Sequence, residues 1–345
     1  MSDELNKSVV NPGRSDVHIN TPLTNVSIAF LQSAENFVAG RVFPQIPVSK
    51  QSDAYFTYER GEFNRDEMEE RAPGTESAGG SYEIGDDTYY ARVYAFHKDV
   101  PDQVRANADS PIQLDREATE YVTHKGLIRR EVLWASRYFT NGVWTFNVDG
   151  NASATAPASF DPTDGANNNK LFWSDAASTP IEDIRQGKRF VLEETGFEPN
   201  TLTLSKAVYD ALVDHPDIVG RIDRGQTAGA ARANLVTLAD LFEVEQVLVM
   251  KAIRNTAKKG QAAAHSFIGG SNALLSYAPS TPGLMTPSAG YTFNWTGLVA
   301  GGENGLQISR FRMQPLKSDR VEIEMAFAQK LVAADLGYFF NGIIQ

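Results

Sequence analysis

The chain has no cysteine, which excludes disulfide staples, thiolate nucleophiles and thiolate zinc sites together. Histidine is almost as scarce: His18, His97, His124, His215 and His265 lie far apart, and no two share a metal-ligand spacing. No apolar run approaches the ~20 residues that span a bilayer. Basic residues are in deficit, 32 Lys and Arg against 43 Asp and Glu, and a net charge of −11 repels nucleic acid and argues against sequence-reading DNA binding. The common catalytic signatures are missing too: no Gly-x-Ser-x-Gly elbow, no phosphate loop ending in Gly-Lys-Ser/Thr, no His-Glu-x-x-His and no Gly-x-Gly-x-x-Gly. Met1 to Pro12 carries Asp3 and Glu4 and no apolar stretch, so nothing there marks the chain for secretion and cytoplasmic synthesis is expected. The sequons at Asn25, Asn151 and Asn294 then read as chance matches.

What remains is an ordinary globular balance, 42% hydrophobic and 22% charged, over 345 residues, enough for two or three structural units. Pro12, Pro22, Pro44 and Pro47 forbid long helices in residues 1–50, which read as an extended arm. Its apolar patch from Val26 to Phe43 needs a surface, its own subunit's or a neighbour's. Asp53 to Glu59 and Thr88 to His97 are dense in Tyr, Phe and Val and predict paired strands. Between them Arg60 to Asp87 has little to bury, a connection long enough to imply a projecting functional arm. Ser110, Pro111 and Gln113 form a capping box for a helix over 111–141, with apolar residues at Leu114, Ala118, Tyr121, Val122, Ile128, Val132, Ala135 and Phe139, and Gly142 as its stop. Such a helix runs to roughly 45 Å. Asp115, Arg116, Glu117, Arg129, Arg130, Glu131 and Arg137 fall off that stripe and are expected at the surface.

Asp149 to Lys170 has the composition of a surface insertion. A second capping box, Thr179 to Glu182, opens a helix that Gly196 closes. Thr201 to Leu204, a helix capped by Ser205, a helical turn at Leu238 to Phe242 and an apolar strand from Val244 to Ile253 predict a small α/β unit over about 200–310. Alternation returns at Val321, Ile323, Met325 and Phe327.

Candidate chemistry is thin. His97 and Asp99 share a strand face, which suits a solvated strand end better than acid/base work. Glu62, Asp66, Glu67, Glu69 and Glu70 match no cation-loop spacing, and the interleaved Arg60, Arg65 and Arg71 suggest charge pairing, within a solvated face or between subunits. Lys251, Arg254, Lys258 and Lys259 form a basic cluster without the aromatic interleaving that stacks bases. Asp161 to Gly165 lacks the acceptors and closing Glu of a calcium loop. Gly301 to Gly305 lacks the lysine of a phosphate loop and reads as a turn.

An arm, a long charged hairpin, a long helix, a small α/β unit and a final strand describe a tile rather than a pocket. This order, from about 50 to 340, resembles the major capsid protein of tailed bacteriophages, whose fold encapsulins share. Leu238 to Val249 with Asn255-Thr256-Ala257, Ala273 to Tyr277, Pro287 to Phe293 and Arg71-Ala72-Pro73-Gly74 are similar to recurrent family segments. Glu243 departs from the glycine common at that position.

The resemblance implies an α+β phage capsid fold: an N-terminal arm (1–50), an extended hairpin loop (51–100), a peripheral domain (101–200 and 311–345) with spine helix 111–141 and a β-sheet, and an α/β axial domain (201–310). It implies a shell protein that forms pentamers and hexamers of an icosahedral virion enclosing double-stranded DNA. No catalytic, cofactor-binding or metal site, no cofactor and no enzymatic activity transfer with it. Implied partners are other copies of the chain, scaffold, portal and decoration proteins, and packaged DNA contacted without sequence specificity; no membrane is involved. Assembly in the host cytoplasm and residence in the virion follow. Some relatives crosslink a hairpin lysine to a neighbour, but Arg60 to Asp87 contains no lysine, so no such bond is expected through this tip. Gly61, Gly79 and Gly80 are candidate hinges for fitting both ring sizes. The alternatives are an encapsulin-like nanocompartment shell and, from another class, a soluble carboxylate-dependent hydrolase.

Overall fold

The computed structural model describes residues 31–108, 112–153, 160–165, 167–223, 233–283, 285–299 and 305–345. Residues 1–30, Ser110 and Pro111 of the first capping box, and 301–304 of the glycine cluster lie outside the described residues. In chain order the strands are β1 (Gln45–Val48), β2 (Ser52–Tyr58), β3 (Ile84–Tyr90), β4 (Arg92–Pro101), β5 (Phe146–Asn151), β6 (Asn169–Leu171), β7 (Thr201–Ser205), β8 (Gln246–Met250), β9 (Ile253–Asn255), β10 (His265–Phe267), β11 (Ala273–Ser276), β12 (Gly290–Trp295), β13 (Leu306–Met313), β14 (Ser318–Leu331) and β15 (Gly337–Asn341). The helices are α1 (Arg60–Phe63), α2 (Asp102–Ala106), α3 (Leu114–Tyr138), α4 (Pro180–Thr195), α5 (Lys206–Val213), α6 (Pro216–Asp223) and α7 (Leu235–Phe242).

Two sheets carry the fold. In the first, β14 pairs antiparallel with β4 on one edge and with β13 and β12 on the other, and β1 adds parallel to β12. Alternation along β14 turns Val321, Ile323, Met325 and Phe327 to one face, where they bury against Leu114, Ala118 and Val122 of α3. Gly126 allows this approach: a Cβ there would stand 2.8 Å from Ile323.

Helix α3 buries Leu114, Ala118, Val122, Gly126, Arg130, Trp134 and Tyr138, a ridge that steps by four. The expected stripe drifts off this ridge at Ile128 and Val132, which are only half-buried. Arg130 and Glu131, expected at the surface, are therefore buried. The helix starts at Leu114, with no side-chain bond from Gln113, and ends at Tyr138, before Gly142.

The second sheet has the order β6-β5-β15-β11-β7-β8, with α4, α5 and α7 packed on it. Its strand membership crosses the boundaries expected at 200/201 and 310/311: β5, β6 and the late β15 join it, while β12 and the start of β13 belong to the first sheet. The supposed insertion at 149–170 supplies part of β5 and β6. Ser205 caps α5 by accepting the Val208 amide, as expected. Helix α4 closes on Gly196 at φ 76°, but Thr179 makes no side-chain cap bond.

Glu243 ends α7 in the left-handed region, φ 55° and ψ 46°, where glycine is unstrained. The turn thus holds the backbone that glycine would adopt freely, with a side chain in place. Glu243→Gly is expected to stabilise the subunit by about 1 kcal/mol, read as a higher denaturant midpoint; an unchanged or lower midpoint would show that this turn stores no strain.

Candidate assembly surfaces

The described residues hold no cluster of three or more His, Asp or Glu able to bind a metal ion. His215 and Ser178 are buried together, with Ser178 Oγ 3.0 Å from His215 Nε2. His215 Nδ1 accepts the Asp217 amide, so the ring carries its proton on Nε2, which lies 3.0 Å from the Asp175 carbonyl. The ring offers the serine no base, and the pair is a structural staple. His97 and Asp99 do not act together either, since Asp99 takes a bidentate ion pair from Arg320 at 2.7 and 2.9 Å. Asp161 accepts from the Thr163 amide and hydroxyl, a local turn. An open groove of about 730 Å³ beside residues 40–47 has Arg41 and Glu245 as its only ionisable side chains.

Among the described residues the hairpin is strongly exposed. Strands β2 and β3 pair from Ser52↔Tyr90 to Tyr58↔Ile84. The expected second strand, Thr88 to His97, is divided at buried Ala91: β3 stays with the hairpin and β4 leaves for β14. At the root Tyr89 stacks on Phe293 with ring centroids 4.5 Å apart. Tyr55 donates to Asp87 at 2.8 Å, and Lys330 reaches the same carboxylate at 2.9 Å. Lys330 holds the Asp87 carboxyl below its usual range, and burial, reinforced by Asp87, keeps the Tyr55 hydroxyl protonated well above its own.

Further out the hairpin has little beneath it. Tyr58, Phe63 and Tyr82 form a ring cluster with centroids 5.4–6.1 Å apart. Phe63, Tyr82 and Ile84 are exposed, while Phe56 is 71% exposed and Met68 93%. A two-stranded ribbon with such a face is poorly stabilised by itself and marks a contact surface. The sequence-selected acids do not converge: Glu62 accepts the Glu83 amide, Glu67 pairs with Arg65, and Asp66, Glu69 and Glu70 point into solvent. Arg60 is spent within the subunit, on Glu194 and Asp335 at 2.8 and 2.7 Å. Gly61 sits inside α1, and Gly79 and Gly80 lie in irregular backbone.

One cluster of surface charge is closed internally. Asp319 accepts Arg310, Arg105 and Arg312 at 2.7, 2.9 and 3.2 Å, and these hydrogen bonds, Arg310's first, hold its carboxyl down to about 2. The network ties α2 and the start of α3 to the β13–β14 turn. Lys251, Arg254, Lys258 and Lys259, expected at a solvated strand end, are exposed on and around the β9–β10 ribbon.

The part of the arm that is described has found its surface on its own subunit. Val38, Ala39, Val42 and Phe43 are buried, and Phe43 meets the rings of Trp134, Tyr138 and Trp144. Glu131 receives the amides of Val38 (3.1 Å to each oxygen) and Ala39 (2.8 Å). Sequence reasoning missed Glu131; stepping by four from Leu114 would have placed neighbouring Arg130 on the buried ridge and cast doubt on an exposed Glu131.

Residues 166–289 match the family model described as Phage major capsid protein E. The chain is 25% identical over 328 residues to a major capsid protein of Pseudomonas phage JBD67, covering 94% of this chain and 97% of that one. Among solved structures, a phage-related protein from Bordetella bronchiseptica RB50 superposes with a TM-score of 0.65 at 20% identity, covering 90% of this chain and 93% of that one. The capsid of cyanophage P-SCSP1u superposes with a TM-score of 0.55 at 12% identity, covering 96% and 95%. At these identities the structural likeness is one of fold, and the fold is one found in phage capsids and in an encapsulin.

Proposed function

We infer that this chain, a major capsid protein of the tailed-phage type, closes as pentamers and hexamers into an icosahedral shell around double-stranded DNA. The observation that carries the assembly reading is the hairpin: among the described residues its apolar outer half is left exposed, and a second copy supplies the surface that covers it. The hairpin lies over an adjacent subunit, burying the Tyr58–Phe63–Tyr82 cluster, while the first sheet and α3 form a rigid plate. The β6–β8 sheet gathers around the five-fold and six-fold axes. Many modest contacts, each weak enough to break and re-form, sum to a strong shell while errors dissolve during growth.

Charge supports a container. Asp319, Asp99 and Asp87 are neutralised within the subunit, while Asp66, Glu69 and Glu70 of the hairpin tip stay exposed and contribute to steering between copies. A net charge of −11 leaves a wall that does not grip DNA as it is packed. Scaffold, portal and decoration proteins are the further partners on this reading, with assembly in the host cytoplasm.

The geometry gives little support to the hydrolase alternative: the buried Ser–His pair has the wrong proton arrangement, and the acids do not converge. An encapsulin-like shell shares the fold, and its contents distinguish it. Purified protein, alone or with its scaffold, is expected to run as capsomers or megadalton shells by size exclusion and negative-stain microscopy. A species that stays at 37.8 kDa with scaffold present overturns the reading, and shells from infected cells that hold a cargo protein and no DNA favour the nanocompartment.

A further inference from the structure

Strand β4 leaves one edge of the first sheet open. It pairs with β14 from Pro101↔Ser318 to Arg92↔Phe327, and among the described residues no strand joins its other side. Ala95, Phe96 and His97 are exposed in succession, although their side chains alternate between the two faces. An open edge of ten residues is a template for another chain. Beside it runs a row of cations set among rings. Tyr94, Phe96 and Lys98 alternate along β4, and Tyr121, Lys125 and Arg129 step by four along α3. The rows interlock: the Tyr121 ring lies 5.8 Å from that of Phe96, Lys98 and Lys125 stand 5.4 and 5.3 Å from the Tyr121 centroid, and Arg129 stands 5.3 Å from that of Tyr94. Among the described residues none of these three cations makes an ion pair. On the other face of the strand Asp99 is taken by Arg320, and Glu322 and Glu324 lie opposite His97 and Ala95.

We propose, resting on the assembly reading, that the open edge of β4 with Lys98, Lys125 and Arg129 beside it is the seat for the hairpin tip of a second copy. The tip has the complementary character. Between Asn64 and Glu83 it carries six carboxylates against Arg65 and Arg71. Arg65 is held by Glu67 and Arg71 donates to the Thr75 carbonyl, which leaves Asp66, Glu69, Glu70 and Glu76 without a cation among the described residues. The backbone of the tip is equally unspent: between Arg65 and Tyr82 it bonds to backbone, among the described residues, only where the Thr75 amide meets the Ala72 carbonyl. Unpaired backbone carrying negative charge and the exposed Met68 thus matches an unpaired edge flanked by positive charge and aromatic rings. Main-chain bonds along the edge supply affinity, and the charges set register and orientation.

The occupant is another copy because the tip stands away from the edge of its own subunit. The β2–β3 ladder carries it seven residue pairs out from Ala91, where β4 begins, a reach of ~23 Å. Among the described residues no ion pair joins the two surfaces within the subunit. The cations of the β9–β10 ribbon are the rival seat on charge alone, but its strands are three residues each and offer no comparable length of edge.

The test exchanges charge between the two surfaces in the full chain. Lys98→Glu, Lys125→Glu and Arg129→Glu together, or Asp66→Lys, Glu69→Lys and Glu70→Lys together, are expected to lower the yield of capsomers and shells about tenfold or more by setting like charges face to face. All six changes in one chain are expected to restore it. Normal assembly of the edge-reversed chain overturns the proposal, even where that chain loses DNA instead, and so does rescue of the tip-reversed chain by Lys258→Glu and Lys259→Glu on the ribbon. Disulfide trapping gives a second readout, clean because the chain has no cysteine of its own. Copies with Met68→Cys, mixed with copies carrying Ala95→Cys, Phe96→Cys or His97→Cys and mildly oxidised, are expected to yield a tip-to-edge crosslink identified by mass spectrometry. Capsomers that form without that crosslink in any of the three mixtures overturn this seat and leave the assembly reading intact. A wild type that stays single at 37.8 kDa overturns the assembly reading itself, and the seat with it.

Discussion

A chain in which residues 59–83 are replaced by Asn-Gly is expected to fold and to form no shells. The replacement is sterically simple, because Tyr58 and Ile84 already face each other at the end of the β2–β3 ladder and a two-residue Asn-Gly loop closes such a pair. The root survives: Tyr89 keeps its stack on Phe293, and Tyr55, Asp87 and Lys330 keep their bonds. What leaves the subunit is Arg60 with two partly exposed ion pairs, about 0–1 kcal/mol each, and Phe63 and Tyr82, both exposed, of the aromatic cluster. Subunit stability should therefore change little, while the contact that each copy makes with the next is lost. Size exclusion should return single subunits where the full chain gives capsomers or shells. Tyr58→Ala, Phe63→Ala and Tyr82→Ala should weaken assembly in graded fashion, since truncating a well-packed interface aromatic commonly costs about 2 kcal/mol or more. Shells of normal size and yield from the truncated chain would mean that assembly runs through other surfaces and that the hairpin is ornamental.

The sequence made legible those elements whose signals are local. Helix α4 lies between Pro180 and Gly196, α5 follows its Ser205 cap, and β14 shows its alternation at Val321 to Phe327. Where partner choice decides structure, local signals misled. Aromatic density runs unbroken from Thr88 to His97, yet the chain changes partner at Ala91, whose amide bonds Gln51 before β4 crosses to β14. Composition records the propensity to form a strand and not which strand it joins. Arg130 and Glu131 read as surface charges because their compensation comes from elsewhere: the Glu131 acceptors are filled by amides 92 and 93 positions away. The late β15 inserts between β5 and β11, a long-range pairing with no spacing signature. The candidate surface was half legible for the same reason. A long polar connection between aromatic strands announced a projecting arm, but that Tyr58, Phe63 and Tyr82 would cluster, or that Arg60 would be taken by Asp335, depends on contacts made in three dimensions.

Gly337→Ala should be a severely damaging single-methyl change in the second sheet. Gly337 has ordinary extended backbone, φ −133° and ψ 145°, so glycine is not there for conformational freedom. It is there for space. A Cβ at this position would stand 2.1–2.7 Å from three atoms of the Trp144 ring. That ring cannot swing away, because it is buried, its Nε1 donates to the Tyr138 carbonyl at 2.7 Å, and it packs on Phe43 and Tyr138. The strand cannot retreat either: Gly337 is paired with Ser276, and the adjacent Tyr338 with Phe146. Overpacking under such constraint is expected to destabilise by about 3 kcal/mol, measured as a shift in denaturant midpoint on the hairpin-truncated subunit, where assembly does not obscure unfolding. A double-mutant cycle assigns the cause. Trp144→Leu alone should also destabilise by leaving a cavity, but Gly337→Ala added to it should do little further harm, since the obstructing ring is gone. Strictly additive losses would show that Trp144 is not what excludes a side chain at 337. If the coupling appears, the join between α3 and the second sheet is a steric lock around one indole, and the Phe43 ring of the arm is packed against the same side chain.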